Sequence, residues 1–272
     1  MHPDTNLAHL LEYLSVRAPG GVCVAFSGGV DSTLLLAAVA KLGGRALALT
    51  IHSPLHSPGE PGEAAALAAA LGVPHRVVEI AEIPEAILDN PPQRCYLCKK
   101  ALFEGIFAIA GGEGLASVVD GTNADDLHTY RPGLAALREL GVLSPLAELG
   151  LTKAQVRELA AQMGLQTASK PSAPCLATRF PYGARLTPEG LAGAGRIEAA
   201  VKAMGTPVVR ARIHGDTVRI EVPPEHFDKL LCARQELTAL CKSLGYLYVT
   251  LDMEGFRSGS MDEALGIEVA TS

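Results

Sequence analysis

The chain has 272 residues, a formal charge of −6 at neutral pH, 48% hydrophobic and 19% charged residues, six cysteines and no tryptophan. These values describe a folded globular protein with chain enough for one large core or two modest ones, and they argue against broad non-specific nucleic-acid binding while leaving room for a local basic pocket. With no secretory leader pattern and no apolar run long enough to cross a bilayer, the cysteines are expected to be reduced thiols serving metal or redox chemistry in a cytoplasmic protein.

Val22-Cys23-Val24-Ala25-Phe26 reads as a buried strand, and Ser27-Gly28-Gly29-Val30-Asp31-Ser32-Thr33 follows it directly. The glycines allow a tight turn and bring backbone amides close to a ligand, and an apolar helical stretch runs from Leu34 to Leu42. A glycine-rich turn feeding a helix N-terminus is an anion site, because unpaired N–H groups and the positive end of the helix dipole converge there. The loop holds no lysine, so it is not the GxxxxGK[ST] loop of γ-phosphate transfer. It resembles the SGGxDS pyrophosphate loop of N-type ATP pyrophosphatases. That resemblance implies ATP contacts from Ser27, Gly28, Gly29, Asp31, Ser32 and Thr33, with Asp31 facing Mg²⁺ in preference to serving only as a helix cap.

Further along, 46–51 reads as a second strand, 62–71 as a helix, 75–80 as a third strand, 99–110 as a helix and 116–120 as a fourth strand. Strands alternating with helices predict an α/β fold with a parallel sheet covered on both faces and a ligand at the carboxyl ends of the strands. His52 and His56 have a metal-like spacing, but the prolines between and after them break the helix such a pair needs, so the segment reads as a loop. Asp120-Gly121-Thr122-Asn123-Ala124-Asp125-Asp126 follows the fourth strand. Gly121 permits an unusual turn, and Asn123, Asp125 and Asp126 offer hard oxygens suited to Mg²⁺ held jointly with phosphate; an Asx-rich helix cap is the other reading. Thr152-Lys153-Ala154-Gln155 is a capping box heading an apolar stripe of Val156, Leu159, Ala160 and Met163, which closes the first domain, 1–170.

Residues 169–188 carry four prolines and read as an ordered loop or linker. A smaller C-terminal α/β domain, 171–272, is expected to hold a helix near 191–204, strands at 208–213 and 218–222, a helix near 225–244 and a strand at 246–251. Arg210-Ala211-Arg212 alternates along a strand, which sets two guanidiniums on one face for bidentate phosphate contact; a solvated face is the alternative.

Arg94-Cys95-Tyr96-Leu97-Cys98-Lys99-Lys100 sets two thiols at a helix start, where the helix end and the basic side chains favour thiolates. Cys95-x-x-Cys98 alone is open to zinc, a dithiol or an iron–sulfur pair. Cys175 stands apart in Pro174-Cys175-Leu176-Ala177-Thr178-Arg179, while Cys23, Cys232 and Cys241 read as packing residues. Three thiolates on a cubane [4Fe–4S] cluster leave one iron open for a ligand such as hydrosulfide.

The pyrophosphate loop, the 121–126 segment, Pro174-Cys175-Leu176-Ala177-Thr178-Arg179 and Gly255-Phe256-Arg257-Ser258-Gly259-Ser260-Met261 together resemble the LarE family, the ATP-dependent sulfur transferases of nickel-pincer cofactor synthesis. The resemblance implies adenylation of a carboxylate of pyridinium-3,5-biscarboxylic acid mononucleotide, followed by replacement of AMP with sulfur. It implies Cys175 as the reactive position, and Cys95 and Cys98 as the extra cysteines of members that hold a [4Fe–4S] cluster, against members that sacrifice one cysteine. Arg179, Glu198 and Glu221 match positions of the family site, the two glutamates with no role assigned. A homo-oligomer acting on a small nucleotide, with no membrane or nucleic-acid partner, is expected.

Three rival readings remain at this level. A tRNA thiolase shares the adenylation logic but needs a large basic surface. An amide-forming ligase has no use for three such thiols. A non-enzymatic zinc or iron–sulfur module would not keep an intact loop with Asp31.

Overall fold

The structure, a computed structural model, describes residues 3–57, 59–171, 174–257 and 259–266; Ser258 of the Gly255–Met261 segment lies outside them. Two compact units divide the chain: 1–53, 58–81 and 93–172 form the first, while 54–57, 82–92 and 173–272 form the second. The second therefore draws in two short pieces from the first half of the sequence.

The first unit runs α1 (Pro3–Arg17), β1 (Val22–Ala25), α2 (Val30–Leu42), β2 (Ala46–His52), α3 (Glu60–Ala70), β3 (His75–Glu79), α4 (Arg94–Gly112), β4 (Ser117–Val119), α5 (Gly133–Leu140), α6 (Pro145–Glu148) and α7 (Lys153–Gln162). Its four strands lie in the order β3-β2-β1-β4, with every pairing parallel. Alternation along the strands builds two cores. Val22, Val24 and Phe26 pack with Leu10, Leu14, Leu35, Val156 and Leu159 on one face. Cys23, Leu47, Leu49 and Val118 pack with Phe103, Ile106 and Leu137 on the other. This is the double cover that a parallel sheet requires. The strand order reverses between β1 and β4, so the chains leaving those two strands diverge and open a crevice at the carboxyl edge.

The expected strands and helices of this unit are present, α2 and α4 beginning several residues earlier than the apolar periodicity suggests. Helix α1 was not anticipated, although Leu7, Leu10, Leu11 and Leu14 are spaced along one helical face and join the core.

The second unit contains α8 (Pro188–Ala203), β5 (Arg210–His214), β6 (Thr217–Glu221), α9 (Phe227–Cys232), α10 (Arg234–Ser243) and β7 (Tyr248–Leu251). Its strands lie in the order β5-β6-β7, the first pair antiparallel and the second parallel. The helix expected over 225–244 breaks at Ala233. Cys241 is buried as expected, whereas Cys232, also read as a packing residue, is exposed. Among the described residues no helix is long and apolar enough to cross a membrane.

Candidate active site

In the first unit the chain leaves β1 and turns at Gly28, whose φ of +66 lies in the left-handed region that glycine occupies without strain. Gly29 heads α2 with no side chain capping it, so the first N–H groups of the helix are left for a ligand or water. The serines knit the turn: the Ser32 hydroxyl accepts from the Ser27 N–H at 3.3 Å and donates to the Gly29 carbonyl at 3.2 Å. The Gly29 N–H in turn meets the Ser27 hydroxyl at 3.4 Å. Lys170 donates to the Gly28 carbonyl at 3.0 Å and to Glu63 at 2.8 Å, fastening the loop from outside. Thr33 is buried, and its hydroxyl has no hydrogen-bond partner among the described residues.

Asp31 is the second residue of α2 and does not cap it. One carboxylate oxygen accepts from the Asn123 amide at 3.2 Å, and the other is in contact with the Lys153 ammonium. Gly121 permits this approach, because a Cβ there would lie 2.9 Å from the Asp31 Cβ and 3.1 Å from the Ser32 nitrogen. The two loops predicted to form the nucleotide edge thus meet within the first unit.

The acidic segment after β4 is already engaged. Asp120 is buried and accepts from Thr122 at 2.5 Å and Ser144 at 2.6 Å. Asn123 and Asp126 form a reciprocal capping box on the 3₁₀ turn Ala124–His128, and Asp126 also pairs with Arg131 at 2.9 Å. Asp125 receives the Lys153 N–H at 2.9 Å. Of the two sequence readings the structure shows the Asx-rich cap, and its Asn123 also holds Asp31. Among the described residues no group of three or more His, Cys, Asp or Glu side chains is gathered to hold a metal ion. One carboxylate completed by phosphate and water oxygens is nonetheless a donor set that Mg²⁺ accepts. His52 of the His52/His56 pair meets Glu79 at 2.8 Å.

Cys95 and Cys98 are the second and fifth residues of α4, three apart and so on one helix face, Cys95 exposed and Cys98 half-buried. The neighbouring lysines approach carboxylates. Lys99 stands 3.9 Å from Asp120, and Lys100 pairs with Glu139 at 3.1 Å.

Cys175 belongs to the second unit, half-buried at the head of the 3₁₀ turn Leu176–Arg179. Arg179 forks onto Glu198 at 2.6 and 2.8 Å, and its remaining nitrogen donates to the carbonyls of Pro174 (3.2 Å) and Cys175 (3.3 Å) and to the Thr178 hydroxyl (2.6 Å). Arg212 forks onto Glu221 at 3.0 Å twice and donates to the Thr178 carbonyl at 2.6 Å and to Ser260 at 2.9 Å. Both glutamates are buried. Glu221 also takes Arg219 at 3.0 Å, and Glu198 accepts the Ala211 N–H at 3.1 Å.

The two guanidiniums of Arg-x-Arg do share one strand face, but their tasks differ. Arg212, like Arg179, is neutralised by a bidentate carboxylate. No carboxylate pairs with Arg210 among the described residues; it donates to the Val209 carbonyl at 2.7 Å and lies over the Phe256 ring at 5.1 Å. Burial first, and repulsion from Arg179 second, pull its guanidinium down to about 10, so it stays charged at neutral pH. It is the arginine of this cluster without a carboxylate partner among the described residues.

Sequence reasoning passed over Lys153 and Lys170. Lys153 was visible only as the second residue of a capping box, and nothing local in the chain signals a contact with a residue 122 positions away.

No family model matches the chain. It is 41% identical over 246 residues to an uncharacterised protein of Synechocystis sp., covering 89% of this chain and 92% of that one. It is 37% identical over 247 residues to the pyridinium-3,5-bisthiocarboxylic acid mononucleotide synthase of Lactiplantibacillus plantarum, covering 90% of each. A tRNA-specific 2-thiouridylase of Trichlorobacter lovleyi is 28% identical over 62% of this chain and 58% of its own length.

Proposed function

The chain belongs to the pyridinium-3,5-bisthiocarboxylic acid mononucleotide synthase (LarE) family, sulfur transferases of the PP-loop superfamily, and on that footing we propose that it activates a carboxylate of pyridinium-3,5-biscarboxylic acid mononucleotide with ATP and replaces the AMP with sulfur. In the first step a carboxylate oxygen attacks the α-phosphorus and pyrophosphate leaves. In the second, a sulfur nucleophile attacks the acyl carbon, the C–O bond to AMP breaks, and a thiocarboxylate and AMP are released. The reading is supported above all by likeness along nine-tenths of both chains.

The residues divide the work by chemistry. The uncapped start of α2 and the loop amides offer donors to the negative charge that grows on departing pyrophosphate, the electrostatic contribution that dominates such reactions. Asp31 is the carboxylate suited to Mg²⁺, and Arg210 the cation suited to the substrate's own phosphate. Arg179 holds the Pro174–Cys175 backbone by its carbonyls and Glu198 fixes Arg179, so the pair acts by positioning the thiol.

Cys95, Cys98 and Cys175 are the residues that would hold a [4Fe–4S] cluster. The first two fit, as reduced thiols on one turn of α4, one of them exposed. When bound, such a cluster supplies a soft sulfide at neutral pH, which a carboxyl-adenylate needs to become a thioacid. The other route takes the sulfur of Cys175 itself: its thiolate attacks the acyl carbon, and loss of the Cα proton with cleavage of Cβ–S leaves dehydroalanine.

Protein purified without oxygen and given ATP and the pyridinium mononucleotide is expected to release AMP, pyrophosphate and a thiocarboxylate identifiable by mass. Pyrophosphate release that depends instead on tRNA or on ammonia would replace this reading with base thiolation or amide ligation. A single turnover with 34 Da lost from Cys175, about the mass of H₂S, would select the sacrificial route.

A further inference from the structure

We infer that Lys153 is the phosphate-binding cation of the nucleotide loop, held on Asp31 until a divalent metal takes that carboxylate; this rests on the reading that the loop receives ATP. Pyrophosphate departure concentrates negative charge, yet Ser27–Thr33 contains no lysine or arginine to meet it. Any side-chain cation that adds to the loop amides there comes from elsewhere in the chain.

The cations near this edge have different employments. Lys170 binds the Gly28 carbonyl and Glu63, Arg131 binds Asp126, and Lys99 faces buried Asp120. Lys153 alone among them is in contact with Asp31, at the second position of the uncapped helix. Its backbone is tied at both ends of the turn: the N–H of Lys153 donates to Asp125, and the Thr152/Gln155 capping box closes the start of α7. The side chains are not sealed in: Lys153 is 34% and Asp31 18% exposed.

This arrangement is an ion pair with a fixed base and an open head. With a dication on Asp31 the ammonium would lose its favourable partner and be repelled, and phosphate at the uncapped start of α2 would offer it a new one. The ammonium thus passes from carboxylate to phosphate with little rearrangement of the backbone, which is the preorganisation that charge stabilisation in a transition state requires.

The test uses inorganic pyrophosphate as probe, with calorimetry and thermal melts on the wild-type protein, Lys153→Met, Lys153→Arg and Asp31→Asn. Metal-free pyrophosphate should bind Lys153→Met about tenfold or more weakly than wild type, Lys153→Arg close to wild type, and Asp31→Asn at least as tightly as wild type, because its ammonium is released. AMP formation by Lys153→Met should fall about 10²-fold or more. A pair that merely holds α7 to α2 would shift both Lys153→Met and Asp31→Asn in the same direction, and that result overturns the inference. So does Lys153→Met protein that binds pyrophosphate and cleaves ATP as wild type does. Should Lys153→Met fail to fold, metal-free pyrophosphate binding by Asp31→Asn decides: binding at least as tight as wild type supports the inference, and weaker binding overturns it. Wild-type protein that binds neither pyrophosphate nor ATP overturns the nucleotide reading itself, an outcome distinct from all of these.

Discussion

Arg179 and Glu198 form a bidentate ion pair, 2.6 and 2.8 Å, with side chains only 3% and 5% exposed. Buried pairs of this kind contribute modestly when compared with apolar replacements, but losing one member strands a buried charge. Glu198→Ala is therefore expected to cost about 3–5 kcal/mol of folding stability, while the double change of both residues to well-packed apolar ones costs less than the sum of the single changes. Urea unfolding of the four proteins of the cycle checks this, and strict additivity would show that the pair is not coupled.

Arg210 should behave differently from its neighbours. Arg210→Ala is expected to weaken binding of the substrate's phosphate about tenfold or more with little change in melting temperature, whereas Arg212→Ala, which strands Glu221, lowers the melting temperature sharply. Burial and repulsion from Arg179 lower the Arg210 guanidinium to about 10, so the binding it provides is complete at pH 8 and weakens only at strongly alkaline pH, the bound anion holding its proton. Titration calorimetry with the mononucleotide across that range reads both effects. Unchanged affinity for the mononucleotide in Arg210→Ala would assign the anion to another group.

Gly121 lies against Asp31 without room for a methyl group. Gly121→Ala is expected to lower pyrophosphate release about tenfold or more while leaving the protein folded, since the clash displaces the loops that meet at Asp31 and not the core. Steady-state kinetics with a circular-dichroism melt separates the two, and wild-type turnover in this variant would mean that the contact is slack.

The thiols should sort by burial. Burial pushes Cys23 and Cys241 up to about 11, and only the thiolate reacts. Both are expected to resist alkylation below pH 9 in the native protein, while exposed Cys95 and Cys232 label first. Mass mapping after a short pulse of iodoacetamide shows the order.

Anaerobic reconstitution with iron and sulfide is expected to load about four irons per chain. Cys95→Ala should lose the iron and the thiolated product yet still release pyrophosphate from ATP, because the loop residues are untouched. An iron-free Cys95→Ala protein that thiolates for one turnover would instead make Cys175 the sulfur source.

Much of this protein was legible from local pattern. Val22–Phe26 followed by two glycines and an apolar helix announces a strand, a turn and an anion-binding helix start, because periodicity and glycine's conformational freedom are properties of neighbouring residues. The same holds for the parallel strands of the first half and for the family resemblance, carried by contiguous motifs. Tertiary structure alone decided which charges are available. Arg210 and Arg212 look equivalent two residues apart on one strand, yet Glu221 neutralises the second and leaves the first free. Lys153 looks like a residue in a helix cap until folding sets it against Asp31. Whether a charged side chain binds a ligand or a neighbour is settled by the partner that comes within a few ångströms from far along the chain, and Coulomb energy depends on that distance rather than on the sequence between them.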